Sequence, residues 1–149
     1  MAKWGGVGHH AFVQMFRNGF LEAVESQLLV PREKGKHTIP ASPFERYLLQ
    51  VFPHYLKAMA ALKLAPPYVA SLSLLDVRGY SMAVSPEFDF GISGRPVDRD
   101  HLLTEQILVE RTDEPVHSLL RPLFDQIWNG CGWAGSLNYD QQGSWKPKV

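Results

Sequence analysis

The sequence predicts an α+β fold, and three stretches carry that prediction: an Asn18-Gly19 turn between two apolar runs, an amphipathic stretch opened by Ser42-Pro43-Phe44-Glu45, and a second amphipathic stretch stopped by Asn129-Gly130. Apolar runs around a tight turn signal a hairpin, whereas apolar residues recurring every three and four positions mark a helix face. The expected architecture is a mainly antiparallel sheet, made from two hairpins plus one further strand and packed with two main helices in the order β-β-α-β-β-β-α.

The first hairpin is read from Phe12-Val13-Gln14-Met15-Phe16 and Phe20-Leu21-Glu22-Ala23-Val24-Glu25 across Arg17-Asn18-Gly19. Asn and Gly tolerate the positive φ of a type I′ turn, and a helix would have to carry Gly19 in its interior at about 1 kcal/mol. Before it, residues 1–10 are Gly-rich and offer neither strand alternation nor a helical face. After it, Pro31-Arg32-Glu33-Lys34-Gly35-Lys36 is polar and holds both breakers, as an exposed connection does. In the first helix Ser42 is placed to cap, Pro43 fits the first helical position, and Glu45 stands where a capping box needs an acid. Phe44, Leu48, Val51, Phe52, Tyr55, Leu56, Met59 and Leu62 give its buried face, with a kink or break expected near Phe52 because Pro53 follows.

Pro66-Pro67 stops that helix near Lys63. Residues 68–77 then form a strand-like run whose hairpin partner, residues 80–84, follows across Arg78-Gly79. Residues 85–95 read as a loop with Phe88, Phe90 and Ile92 free to turn inward. Residues 102–109 fit a fifth strand, with a helix left open by Glu105 and Gln106. The last helix is expected to start near Thr112-Asp113 and run through Leu119, Leu120, Leu123, Phe124, Ile127 and Trp128 to Asn129-Gly130, kinked at Pro122. A closing segment, residues 136–145, is either a small hairpin or a docked loop.

Composition limits the function classes. At 149 residues the chain fits one domain, residues 1–149, since such a length buries roughly two-thirds of the unfolded surface. Hydrophobic residues at 45% and charged residues at 20% match globular usage. Fifteen basic and fifteen acidic residues cancel, which removes the broad positive field of a nucleic-acid face. A lone cysteine, Cys131, and a start without a basic-then-apolar leader make a reducing cytoplasm the expected setting. No apolar run approaches the roughly 18 residues of a membrane-spanning helix.

Leu120-Arg121-Pro122-Leu123-Phe124-Asp125-Gln126-Ile127-Trp128-Asn129, followed by Gly132-Trp133, Ser136-Leu137-Asn138-Tyr139-Asp140, Gly143 and Trp145, resembles a known closing segment. It is similar to the C-terminal region of bacterial proteins that begin with an Alba-like, Schlafen-type domain assigned to DNA binding. These are often labelled ATP-binding proteins or transcriptional regulators. Residues 12–24, with Phe16-Arg17-Asn18-Gly19 and Glu22-Ala23-Val24, and residues 74–84 are similar to earlier parts of the same region, so most of the chain is covered. The segment behind the DNA-binding assignment lies upstream of the match and is not among these 149 residues. The resemblance therefore implies an accessory domain for sensing, oligomerisation or partner docking, with no catalytic residue to carry over.

Each candidate site competes with a plainer reading. His9 and His10 point apart on an extended segment, and with His37, His54, His101 and His117 they lack zinc-ligand spacing. Cys131 with His117 suggests a thiol nucleophile and base, yet Cys131 follows a helix C-terminus, whose dipole opposes a thiolate. Asp98, Asp100 and Glu105, near Glu87 and Asp89, are the densest acidic cluster and the alternative metal ligands; Arg95 and Arg99 interleave with them as a solvated surface loop would. Gly5-Gly6-Val7-Gly8 lacks the Lys-Ser/Thr of a phosphate loop. Trp128, Trp133, Tyr139 and Trp145 can stack on a ligand or partner, as can Arg95 and Arg99, or the aromatics can close the core beneath the last helix.

The leading expectation is a non-catalytic domain that binds a protein partner or itself, takes no cofactor, and meets nucleic acid only through the upstream domain. The alternative is a small metal-dependent hydrolase or nuclease using the acidic loop 87–105.

Overall fold

Local sequence and long-range pairing contribute in turn along this chain, whose computed structural model describes residues 11–31, 35, 37–85 and 94–147. The lead-in, His9, His10, the Gly5-Gly6-Val7-Gly8 run, Glu87, Phe88, Asp89, Phe90 and Ile92 lie outside the described residues.

Strands β1 (Phe12–Met15) and β2 (Leu21–Val24) form the expected antiparallel hairpin, with Phe12 opposite Val24 and Gln14 opposite Glu22. Its turn differs from the type I′ expectation. The ladder continues through the Phe16 amide, which donates to the Phe20 carbonyl at 2.8 Å, and the Gly19 amide donates to the Phe16 carbonyl at 3.0 Å. Of the turn residues only Gly19 has positive φ, +86°. This is the three-residue hairpin loop that ends on a left-handed glycine, and Asn18 uses its Oδ1 to accept from the Phe20 amide at 3.1 Å.

A strand missed by sequence, β3 (Thr38–Pro40), leads into helix α1 (Ala41–Ala61). Ser42 and Glu45 do not cap that helix: Pro40 is the N-cap and no side chain bonds the first turn. Both side chains turn into the protein, where they find partners described below. The helix runs through Pro53 without a break, its flanks held by Phe52 and Leu56 in the packed interior. It stops where Lys63 takes a φ of 59°.

The second expected hairpin, residues 68–77 against 80–84, does not form. Residues 68–80 instead pair antiparallel with 97–109 in one long ribbon. Strand β4 (Tyr68–Ala70) faces β8 (Ile107–Val109), and β5 (Ser73–Leu74) faces β7 (Leu102–Leu103). Amides of Val77, Gly79 and Val97 extend it to the carbonyls of Asp100, Val97 and Tyr80, each at 2.8 Å. Between Ala70↔Ile107 and Ser73↔Leu103 the register slips by one residue, and Thr104 bridges the slip by accepting the Leu72 amide on its hydroxyl and donating its own amide to the Leu72 carbonyl. Beyond Tyr80 the chain leaves the ribbon as β6 (Ser81–Ala83), which runs parallel to β3. The Arg78-Gly79 turn is thus real, but the inward alternation of Tyr68, Ala70, Leu72 and Leu74 finds its matching face well downstream, on residues 102–109. Residues 102–109 are strands, which settles their helix-or-strand ambiguity.

Helix α2 spans Val116–Gly130, starting after Pro115 rather than at Thr112-Asp113, because Arg111 clamps Asp113 at 2.6 Å in a turn outside the helix. Pro122 sits within α2 without ending it, and its carbonyl accepts from Gln126 Nε2. The main core gathers Phe44 and Phe124, edge to face at 6.4 Å, with Ile39, Val77, Met82, Val97, Ile127 and Trp128. A smaller cluster of Leu56, Val109 and Leu119 joins α1, α2 and the ribbon. The tail closes by an antiparallel bridge between Tyr139 and Trp145, so both earlier readings of it apply: it is a small turn and it is docked. Among the described residues no helix is long and apolar enough to cross a membrane.

Candidate functional site

The most concentrated polar chemistry surrounds Glu45, whose side chain is 0% exposed. Placed on the first turns of α1, its carboxylate reaches two other segments, α2 and the tail. Oε1 accepts from Trp128 Nε1 at 2.8 Å and from Ser136 Oγ at 2.6 Å; Oε2 accepts from Asn138 Nδ2 at 3.0 Å and from Trp145 Nε1 at 2.6 Å. Ser42 Oγ, one turn back on α1, donates to Asn138 Oδ1 at 3.0 Å. A carboxylate offers about four acceptor positions, and four donors fill them. Arg46 lies over the Trp145 ring at 5.9 Å and covers the outer side. The arrangement ties α1, α2 and the tail into one body, and the filled acceptor positions leave Glu45 no capacity for a substrate or a metal ion.

The four singled-out aromatics fall around this tie. Trp128 is fully buried and meets Trp133 edge to face at 5.9 Å. Buried Tyr139 donates its hydroxyl to the His117 carbonyl at 2.7 Å, with Arg121 5.0 Å above its ring. Burial above all, then the charge of Glu45, raises the Tyr139 hydroxyl well beyond its ordinary range. Core closure, the plainer reading, describes Trp128, Tyr139 and Trp145; half-buried Trp133 packs beside Gly94 at the edge of the core.

The charged candidates spread over the surface. Asp98 pairs with Arg99 at 3.0 Å and Asp100 with Arg78 at 2.7 Å, and these arginines hold both carboxyl groups below the usual carboxylate range. Glu105 is exposed on the ribbon, its amide donating to Gln126 Oε1. The Arg95 side chain is exposed while its amide donates to the Cys131 carbonyl at 2.8 Å. His37 stacks on Tyr80, His101 accepts the Asp76 amide on Nδ1, and His54 is exposed on α1. Among the described residues no three His, Cys, Asp or Glu side chains converge as a metal site would require. Cys131 is buried, and desolvation pushes its thiol up to about 11, away from the thiolate that nucleophilic chemistry needs.

What the surface does offer is uncovered apolar strand. The ribbon turns Tyr68, Ala70, Leu74, Leu102 and Val109 inward, while Val69, Leu75, Leu103 and Leu108 face water, Leu103 at 70% exposure. Val69 and Leu108 stand directly opposite one another. The hairpin β1–β2 is a two-stranded sheet of its own that leaves Phe12, Val13, Phe16, Phe20 and Val24 exposed. Among the described residues its turn at Gly19 approaches Leu64, and Glu25 at its base lies near the Tyr47 hydroxyl, which burial above all, with Tyr55 and Glu25, pushes up to about 12. A shallow cleft of about 280 Å³ between Lys63, Leu64, Tyr68 and Thr112 is below the size of most ligand sites. Neither apolar surface was singled out from sequence, although the alternation of residues 68–75, apolar on both faces, carried the signal.

Protein-family models, curated proteins and solved structures contain no match to this chain.

Proposed function

We propose that the chain is a non-catalytic accessory domain that works by self-association or partner docking within a cytoplasmic DNA-binding or regulatory protein of the Alba-like, Schlafen-type kind. The observation that carries this reading is the contrast between a sealed polar interior and an open apolar strand surface. The Glu45 tie consumes its own acceptors, whereas Val69, Leu75, Leu103 and Leu108 line one side of the ribbon without a cover. Apolar patches of that kind on a folded body mark interaction sites. The acidic-loop alternative draws no support from Asp98 and Asp100, each of which faces an arginine.

The test combines the solution mass of the full chain with its titration against a separately purified Alba-like, Schlafen-type domain. Self-association or saturable binding supports the reading. A monomer that binds no such domain, or a chain whose melting temperature rises with manganese or magnesium, overturns it.

A further inference from the structure

We propose that a second copy of this chain pairs edge to edge with β1, antiparallel about a two-fold axis at Gln14, so that two hairpins join into a four-stranded sheet. The inference rests on the interaction-domain reading and adds a second surface to it, the β1 edge, apart from the outward face of the ribbon.

A lone two-stranded hairpin is marginal in water, and three or more strands with an apolar face are needed for independent stability. Among the described residues this hairpin is a separate two-stranded sheet, and its apolar side chains reach solvent. The direction of its backbone groups follows from the ladder. Since Phe16 and Phe20 form a hydrogen-bonded pair, alternation makes Gln14↔Glu22 and Phe12↔Val24 bonded pairs as well. Val13 and Met15 therefore present their amides and carbonyls outward along the edge of β1 that no described strand pairs with.

A two-fold axis at Gln14 sets Val13 opposite Met15 of the second copy, and these are the residues with outward groups to exchange. The same register sets Phe12 opposite Phe16 of the second copy. Within each hairpin Phe12 already faces Val24, and Phe16 lies 5.6 Å from Phe20, centroid to centroid. The joined sheet then carries two unbroken apolar rows of four side chains on one face, with cross-strand aromatic pairs at the new seam. Phe12, Phe16 and Phe20 alone bring roughly 300 Å² of open residue surface per copy toward an interface needing about 800 Å² per partner.

Charge selects β1 over β2. Residues 11–16 carry none, whereas β2 holds Glu22, and a symmetric seam there would set two glutamates opposite one another. Strand edges that must stay single normally carry Lys, Pro or a bulge. The ribbon has such a slip at Thr104; β1 has none of the three.

Sedimentation of the full chain over a wide concentration range, repeated with Val13→Pro, tests the proposal. The Val13 amide points away from β2, so proline there leaves the hairpin intact and blocks the seam. A dimer that becomes monomer in Val13→Pro, with circular dichroism and melting temperature unchanged, is expected. Gln14→Cys should form an intermolecular disulfide with oxidised glutathione, whereas Phe20→Cys, on the far strand, should not. If Val13→Pro fails to fold, Gln14→Lys decides: lysine is tolerated opposite Glu22 in its own hairpin but meets its twin on the axis, so a monomer supports the seam and a dimer overturns it. A wild-type monomer at every concentration overturns the second copy, while binding of the Alba-like domain by that monomer preserves the broader reading. A dimer unaffected by Val13→Pro overturns the seam and leaves self-association standing.

Discussion

Helix α1 is joined to the rest of the chain in two contrasting ways. Near its start, Glu45 is sealed inside and bonded to four donors from α2 and the tail; elsewhere hairpin β1–β2 lies near Tyr47 of α1 and Leu64 just past its end, and turns phenylalanines to water. The first junction is polar yet fully satisfied, so it fixes one arrangement of three segments. The second leaves apolar side chains exposed, so its stability depends on what else it meets. Rigidity and recognition are thus allotted to different chemistry on one helix.

Replacing Glu45 is the most severe way to break the comparison. Glu45→Ala leaves two indole N–H groups, the Asn138 amide and the Ser136 hydroxyl short of an acceptor. At about 1–3 kcal/mol for each buried orphan, the loss is expected to reach about 4 kcal/mol or more, a large share of the 5–15 kcal/mol that domains possess. Glu45→Gln, which keeps one oxygen, should cost about half as much. Urea unfolding measures both, and a loss below about 1 kcal/mol for the alanine variant would show that water replaces the carboxylate and that the junction is no tie.

The contrast was only partly legible beforehand. Periodicity placed both helices, and the Asn18-Gly19 punctuation placed the first hairpin, because those signals act within a few residues. Ser42-Pro43-Phe44-Glu45 announced a helix start correctly and its purpose incorrectly. A capping box and a buried anchor are spelled alike; the partners that distinguish them lie 83 and 100 residues downstream at Trp128 and Trp145. One clue was present, since Glu45 shares the spacing of Leu49, Phe52 and Leu56 on the inward side of α1, where an unpaired acid would not survive. Pairing of residues 68–80 with 97–109 was hidden for the same reason, since a local turn at Arg78-Gly79 offered a nearer partner.

A gentler probe of the sealed side uses alkali. The Cys131 thiol, pushed up to about 11 by burial, keeps its proton in the folded chain at pH values where an unfolded thiol, near about 8.5, loses it. The unfolded state then binds fewer protons, so the thiol's contribution is flat below about pH 8.5 and stability falls as pH rises toward about 11, by about 3 kcal/mol at most. Urea midpoints across that range should show the slope in the wild type and a shallower one in Cys131→Ala. Equal slopes would mean that the thiol is as well solvated folded as unfolded, contrary to its place in the core.

The smallest change addresses the open side alone. At Gly19 φ is +86°, and an added Cβ would rest 3.6 Å from Leu64 Cδ1, an ordinary contact. The cost of Gly19→Ala is therefore one of backbone conformation, about 1–2 kcal/mol. If the hairpin is fastened only at its turn and base, that cost stays local: hydrogen exchange should quicken at residues 12–24 and stay unchanged in α2, the melting temperature should hold, and the dimer should dissociate more readily. A melting temperature that falls with the hairpin would instead show that β1–β2 unfolds together with the Glu45 body, and the division between a sealed junction and an open one would collapse.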